Sequence, residues 1–340
     1  MASLRDVASR AGVSVATASR VASGSATVRP ETRERVERAM RELLYVPPAR
    51  AEPSGAIGLL VPEFRNPVFA ALAEAMETHA AREGLATILC NTHGSAYREL
   101  DYVHMLLERR VAGMAFISAE ITDVRGEHSH YLQLLEQGAR IVFVNGGSEE
   151  LEVTTVGVDE RAAGRIATEH LVQLGHERIG FVAGSPYALP TREKTIGHRD
   201  ALSSAGLEDG HVAHGEFSVA GGRAAMRELM ERELAARPTA VMCSSDLMAI
   251  GALQEAAVLG LKVPRDVSIV GFDGIDAATW TEPPLTTVEQ PIEEIARTAV
   301  AALRTQVERP AERQPSYVFR PRLRVGGTTA PPPNGGRRRR

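Results

Sequence analysis

Between Leu4 and Val21 the apolar positions recur at helical spacing in two short blocks, separated at Gly12-Val13. Leu4, Val7 and Ala8 share one face of the first block, and Val15, Ala18 and Val21 share one face of the second. The spacing predicts two short helices crossing steeply over a tight turn, a helix-turn-helix. Ala8 is small enough for close helix approach, Gly12 tolerates the positive φ of such a turn, and Ser14 is a natural N-cap for the second helix. The exposed face of that helix carries Val15, Ala16, Thr17, Ser19 and Arg20, groups sized for the DNA major groove. An ordinary helical hairpin inside a core has the same short pattern. A third helix is predicted from Pro30 to Leu44, with Val36, Met40 and Leu43 inward and Pro30 in the first turn.

The segment from Val46 to Ala56 contains Pro47, Pro48 and Pro53 and reads as a linker. Beyond it, short apolar runs alternate with amphipathic ones. Strands are predicted at Ile57–Val61, Thr87–Cys90, Met114–Ile117, Ile141–Val144, Ile179–Val182, Ala240–Cys243 and Val267–Phe272. Helices are predicted at Val68–Glu83, Tyr97–Arg110, Arg161–Leu174, Glu193–Ala205, Gly222–Arg232 and Asp246–Leu259. Apolar strands alternating with helices imply an α/β fold with buried, doubly wound parallel sheets. The length of this region exceeds one ordinary sheet, so two similar lobes are expected. The tail from Ala330 is Pro, Gly and Arg and is expected to be disordered.

Charge sharpens the reading of the head. Residues 1–50 hold nine arginines against five carboxylates, a net of +4, whereas the whole chain of 340 residues is −4. The remainder is therefore −8. A basic head on an acidic body suits docking to phosphates at one end only. A composition of 44% hydrophobic and 24% charged residues is that of a globular chain. No apolar run approaches the roughly 18 residues of a membrane span, and Arg5, Asp6 and Arg10 interrupt any signal segment. A cytoplasmic protein without membrane association is expected. Cys90 and Cys243 sit in apolar runs without metal-ligand spacing and are expected to be reduced core residues.

Nearly every predicted strand ends in polar or aromatic groups, where ligands of open α/β sheets sit. Phe64, Asn66 and Phe69 follow the first strand, and Ser118, Asn145, Ser244, Ser245, Asp246 and Asp273 follow later ones. Such a set suits a polyhydroxylated or heterocyclic small molecule. Asp246 is expected to be a helix N-cap rather than a ligand contact, and Trp280 reads equally as core or site. There is no phosphate loop, HExxH or GxSxG signature. An enzyme, a cofactor and a metal are therefore not expected.

These residues carry a resemblance. DVASRAGVSVATASRV (Asp6–Val21), RPETRERVERAMRELLY (Arg29–Tyr45), IGLLVPEFRNPVFA (Ile57–Ala70), GVDERAAGRIATEHLVQLGHERIGFVAG (Gly157–Gly184), AIGALQEAAVLGLKVPRDVSIVGFD (Ala249–Asp273) and PPLTTVEQP (Pro283–Pro291) resemble the lactose-repressor/galactose-repressor (LacI/GalR) family of bacterial transcription regulators. The resemblance implies a homodimer reading a pseudo-palindromic operator in double-stranded DNA, with periplasmic-binding-protein-like lobes clamping an effector. It implies base contacts from Val15, Ala16 and Arg20, and phosphate contacts from Ser3, Thr17, Ser19, Ser23 and Thr27. It further implies effector contacts from Phe69, Ser118, Asn145, Lys194, Phe217, Ser245, Asp273, Trp280 and Gln290. The expected domains are a head (1–45), a linker (46–56), an effector-binding and dimerisation domain (57–328) and a tail (329–340). Within the third, lobe 1 comprises about 57–156 and 285–316, and lobe 2 about 157–284 and 317–328. The effector is expected to be a sugar or sugar derivative, the alternatives being a nucleobase or nucleoside. A small-molecule binding protein of the same lobe fold is the competing class, but it has no use for a basic helix-turn-helix.

Four positions depart from the family pattern. The linker is short and proline-rich and lacks the leucine that wedges into the minor groove, so a hinge helix is not expected. Lys194 stands where a two-pronged arginine is usual, and Asn145 replaces a frequent aspartate. Arg29 replaces the usual serine cap, forgoing about 1 kcal/mol but adding a candidate phosphate contact.

Overall fold

Ser3, with an extended backbone, caps the first helix and sets the start of the fold. The structure, a computed structural model, describes residues 3–22, 28–43, 45, 54–148, 151–309 and 315–333. Ser23, Thr27 and the linker residues 46–53 lie outside the described residues.

The head consists of α1 (Leu4–Ala11), α2 (Val15–Ala22) and α3 (Pro30–Glu42). Ser3 and Asp6 form a reciprocal capping box, which satisfies two otherwise orphan N–H groups. Gly12 ends α1 in the left-handed region at φ 63°, and Ser14 Oγ accepts from Thr17 N at 3.2 Å, as predicted. Val7, Ala8, Ala11, Ala18, Val21, Val36 and Ala39 make a small core of their own. Val15 does not join it. At 44% exposed it lies on the outer face of α2, because one helical turn short of Ala18 the chain has only just left the interhelical turn.

The body holds two six-stranded sheets. In the first, β1 (Ser54–Val61), β2 (Ala86–Asn91), β3 (Val111–Ile117), β4 (Ile141–Val144), β5 (Thr154–Val158) and β11 (Tyr317–Phe319) pair in the order β11-β5-β4-β3-β1-β2. In the second, β6 (Ile179–Ala183), β7 (Val212–His214), β8 (Ala240–Cys243), β9 (Ser268–Asp273), β10 (Thr286–Glu289) and β12 (Arg322–Arg324) pair as β12-β10-β9-β8-β6-β7. All pairings are parallel except β10 with β12.

Helices cover both sheets: α4 (Pro67–Arg82), α5 (Ala96–Glu108), α6 (Ser129–Glu136) and α11 (Ile292–Glu308) belong to the first lobe. The second has α7 (Glu160–Gln173), α8 (Leu189–Ser204), α9 (Val219–Met230) and α10 (Asp246–Val258). Burial on both faces is why β4, β6 and β8 are uninterrupted apolar runs.

The chain crosses between lobes three times, and two crossings differ from expectation. The first falls between Val158 and Glu160, as the sequence suggested. The second falls after Glu289, because β10 pairs with β9 and so stays in the second lobe. The third falls after Phe319, because β11 pairs with β5 of the first lobe. The linker also ends earlier than expected, since Ser54, Gly55 and Ala56 already belong to β1.

The tail begins later than expected. His176 Nε2 meets the carbonyl of Ala330 at 2.9 Å, Ala330 N donates to Ser268 Oγ, and Thr329 hydrogen-bonds His170, so these residues are part of the second lobe. Cys90 and Cys243 are both free and buried, and burial pushes the Cys90 thiol up to about 11. Among the described residues no helix is long and apolar enough to cross a membrane.

Candidate functional site

Three of the expected site residues, Ser118, Asn145 and Asp273, have positive φ values of 42°, 55° and 126° without being glycine. The first two follow β3 and β4 directly, and the third ends β9. Such a backbone costs an L-residue of order 1–3 kcal/mol and persists where surrounding structure enforces it, commonly at functional sites. Here all three positions lie at the carboxyl edges of the sheets.

Two of these three are joined by hydrogen bonds. Asn145 Nδ2 donates to Gln290 Oε1 at 2.8 Å, and Gln290 Nε2 donates to Asp273 Oδ1 at 2.8 Å. Asn145 Oδ1 also accepts from Val158 N at 3.3 Å. The relay runs from the first lobe, through the second crossing, to the second lobe. It explains asparagine at 145: an aspartate would set two acceptors against each other unless the glutamine amide turned over, and then Asp273 would lose its donor.

Asp273 is 5% exposed, and burial followed by the nearby Asp246 charge raises its pKa well above the ordinary carboxylate value. Asp246 is also pushed up by burial, against the pull of its donors. Its two oxygens accept from Gly274 N, Ile275 N and Thr287 Oγ1 at 2.8, 2.9 and 2.5 Å. Three donors favour the ionised form there, whereas Asp273 has one, so the upward push of burial is less offset at Asp273. The expectation that Asp246 caps α10 is corrected by this geometry. Ser245 is the cap: its Oγ accepts from Met248 N at 3.3 Å.

Lys194 is 2% exposed, although its neighbours suggest no sequence pairing. Its Nζ donates to Glu160 Oε2 and lies 3.8 Å over the Phe272 ring. Close approach of α7 and α8 makes this pair. A Cβ on Gly164 would stand 2.2 Å from Lys194 O, and one on Gly197 would stand 1.9 Å from Arg161 O. Burial pushes the Glu160 carboxyl up while Lys194 pulls it down. Glu160 is absent from the sequence-based set. The signal existed in the position directly after Gly157-Val158-Asp159, a strand end, but TTVGV does not read as a strand.

Phe69 packs against the cores of both lobes, and the half-buried Phe217 lies against Gly184. Trp280 is elsewhere. It ends a single 3-10 turn with 78% of its surface exposed, so the core reading is corrected, and it lines neither cavity described below.

A cavity of about 640 Å³ opens beside Asn145 and Glu160, with Glu152, Asp159, Glu193 and Tyr317 in its walls. It does not reach Phe69, Lys194, Phe217, Asp273 or Gln290. A smaller one of about 200 Å³ lies between Ser118, Glu120 and Asp123 of the first lobe and Ser185 of the second. Next to it the lobes touch: Val124 N donates to Tyr187 O at 3.0 Å, and the Arg125 guanidinium lies 3.9 Å over the Tyr187 ring. Among the described residues no cluster of His, Cys, Asp and Glu could hold a metal ion.

On the head, Val15, Ala16, Ser19 and Arg20 are exposed on α2 and Thr17 is partly so. Two expected phosphate contacts have other work. The Ser3 hydroxyl donates to Asp6 at 2.7 Å within the capping box, and Thr17 Oγ1 lies 2.9 Å from Ser14 Oγ. Arg29 is exposed at the start of α3 and makes no side-chain cap, as its identity predicted.

Comparison with known proteins agrees with this architecture. The family profile "Bacterial regulatory proteins, lacI family" matches residues 3–48, and that of a periplasmic binding protein-like domain matches residues 168–329. The chain is 37% identical over 335 residues to the HTH-type transcriptional regulator MalR of Streptomyces coelicolor, covering 96% of each protein. It superposes on a transcriptional regulator CelR–cellobiose complex with a TM-score of 0.76 and 32% identity, covering 96% of this chain and 100% of the other. It superposes on the lac repressor dimer bound to operator and the anti-inducer ONPF with a TM-score of 0.72 and 25% identity, covering 97% and 99%. These relatives are regulators of transcription, not enzymes, and the chain belongs to the LacI family of bacterial regulatory proteins.

Proposed function

We propose that this regulator is a repressor whose operator affinity is controlled by a small polar effector, a sugar or sugar derivative, bound between the lobes. The observation that carries the reading is the Asn145–Gln290–Asp273 relay, which joins strand ends of both lobes through a residue at a crossing. A hydroxylated ligand that exchanges hydrogen bonds with this relay acts on both lobes at once. Differential affinity for two lobe arrangements is then the source of coupling to the heads.

The effector contacts are Asn145, Lys194, Asp273 and Gln290, with Phe69 and Phe217 offering apolar faces and Ser118 and Ser245 at the strand edges. Amides donate and accept, a carboxyl accepts and an ammonium donates, which matches sugar hydroxyls. Cellobiose in the CelR complex supports the class.

On DNA, Arg20 reads a base edge, Val15 and Ala16 make apolar contacts, and Ser3, Thr17, Ser19, Ser23, Thr27 and Arg29 lie near phosphates. The assembly is a homodimer on a pseudo-palindromic operator. The dimeric lac repressor neighbour supports this, and so do the exposed Trp280 and Val258, apolar surface that a partner copy would cover. The experiment is a selection of DNA fragments from a random pool, with and without neutral sugars. A two-fold related motif whose recovery changes with one sugar is the expected result.

A further inference from the structure

Behind the Glu160 wall of the cleft lies a cation that is already neutralised. Lys194 is almost fully buried, its Nζ donates to Glu160 and lies over the Phe272 ring, and the Asp273 carboxyl is near enough to feel its charge. The walls beyond Glu160 add Glu152, Asp159 and Glu193. Arg161, the cation of those walls among the described residues, is itself tied to Asp200 by an Nε–Oδ2 bond of 2.8 Å. An anionic ligand entering here meets carboxylates, and it finds the buried ammonium occupied.

We propose that Glu160 is a specificity-determining residue: by taking the buried Lys194 as its partner it reserves the cleft for uncharged effectors and excludes phosphorylated ones. The proposal rests on the interlobe effector site argued above. Buried charges are tolerated only when paired, and deleting one partner leaves the other seeking a counter-ion. In Glu160→Gln the side chain keeps its size, but the directly paired carboxylate is gone and Lys194 is left with a ring face, an amide and the more distant Asp273. A phosphate group then supplies the missing charge, with Lys as a point-charge partner. Glu169→Gln, on the same helix and paired with the exposed Arg165, changes net charge equally without touching the cleft.

The test is calorimetric titration of the full-length protein and its variants with inorganic phosphate, ribose, ribose 5-phosphate and cellobiose. The wild type is expected to bind phosphate at least tenfold more weakly than Glu160→Gln does. Adding Lys194→Gln to Glu160→Gln is expected to remove the gain, and Glu169→Gln to match the wild type. Any neutral sugar bound by the wild type is expected to be preferred over its phosphate ester, with the preference reduced at least tenfold by Glu160→Gln. Equal phosphate affinity in the wild type and Glu160→Gln overturns the proposal, as does a wild-type preference for ribose 5-phosphate over ribose. The sugar reading fails separately: if no neutral sugar binds while Glu160→Gln still gains phosphate, the charge gate stands without it.

Discussion

Asn145 and Asp273 end strands in different lobes, yet a single glutamine amide joins them, with 2.8 Å on either side. Each end depends on the middle. With Gln290 removed, the Asn145 amide loses its acceptor and Asp273 loses its donor, both in a part-buried setting.

Gln290→Ala is therefore expected to cost roughly 1–3 kcal/mol, the range for leaving buried polar groups without partners. Chemical denaturation of the wild type and variant gives the value directly. The same variant is expected to weaken effector binding, whereas a loss under about 0.5 kcal/mol would mean that solvent replaces the amide without penalty.

His198 supplies a pH dependence. Its Nδ1 lies 2.8 Å from Thr168 Oγ1, whose own proton goes to Gly164 O, so Nδ1 is the protonated nitrogen. Nε2 is buried without a hydrogen-bond partner, and burial lowers the pKa to about 4 from the ordinary 6.5. The unfolded chain thus takes up a proton at a higher pH than the native one, and stability falls as pH drops from about 6.5 to about 4. His198→Gln is expected to lack this slope, giving a wild-type minus variant difference that shrinks by roughly 3 kcal/mol over that window. Buried carboxyls such as Asp273 slope the other way but are common to both proteins. Parallel stability profiles would show that His198 is not the titrating group.

At the DNA interface, Arg20→Ala is expected to relax selection at one base pair per half-site by roughly 1–3 kcal/mol, the worth of a bidentate contact to guanine. Binding-site selection measures it. Unchanged preference at every position would move base reading to other residues of α2.

The linker prediction concerns residues outside those the structure describes. Pro47, Pro48 and Pro53 disfavour a hinge helix, at about 3 kcal/mol for a proline in a helix interior. Operator bending is then expected to be small, and one or two added central base pairs tolerated. A gel-mobility bending assay showing a strong central kink, with sharp loss of affinity on insertion, contradicts this.

Much of the fold was legible because buried parallel strands are written as apolar runs. Ile141–Val144 and Ala240–Cys243 match β4 and β8 to the residue. What escaped was short or polar: β7 is three residues at a sheet edge, and β5 is Thr-Thr-Val-Gly-Val, whose burial comes from neighbouring strands. The lobe crossings were displaced for the same reason, since β10 and β11 declare their sheet only by pairing. In the site, strand-end position identified Ser118, Asn145 and Asp273. It failed at Glu160, whose strand was not recognised, and at Asp246, where capping and burial choose between adjacent residues by backbone geometry alone.

The central claim is that one cleft between the lobes governs DNA binding, and Asp273 is its most direct probe. The measurement is fluorescence anisotropy of an operator recovered by selection, titrated with wild type and Asp273→Ala in the presence and absence of the sugar that shifts the wild type. Equal operator affinity of the two proteins without sugar, with a sugar response only in the wild type, is the predicted result. Loss of operator binding by Asp273→Ala without sugar, or a sugar response that survives the substitution, would contradict it.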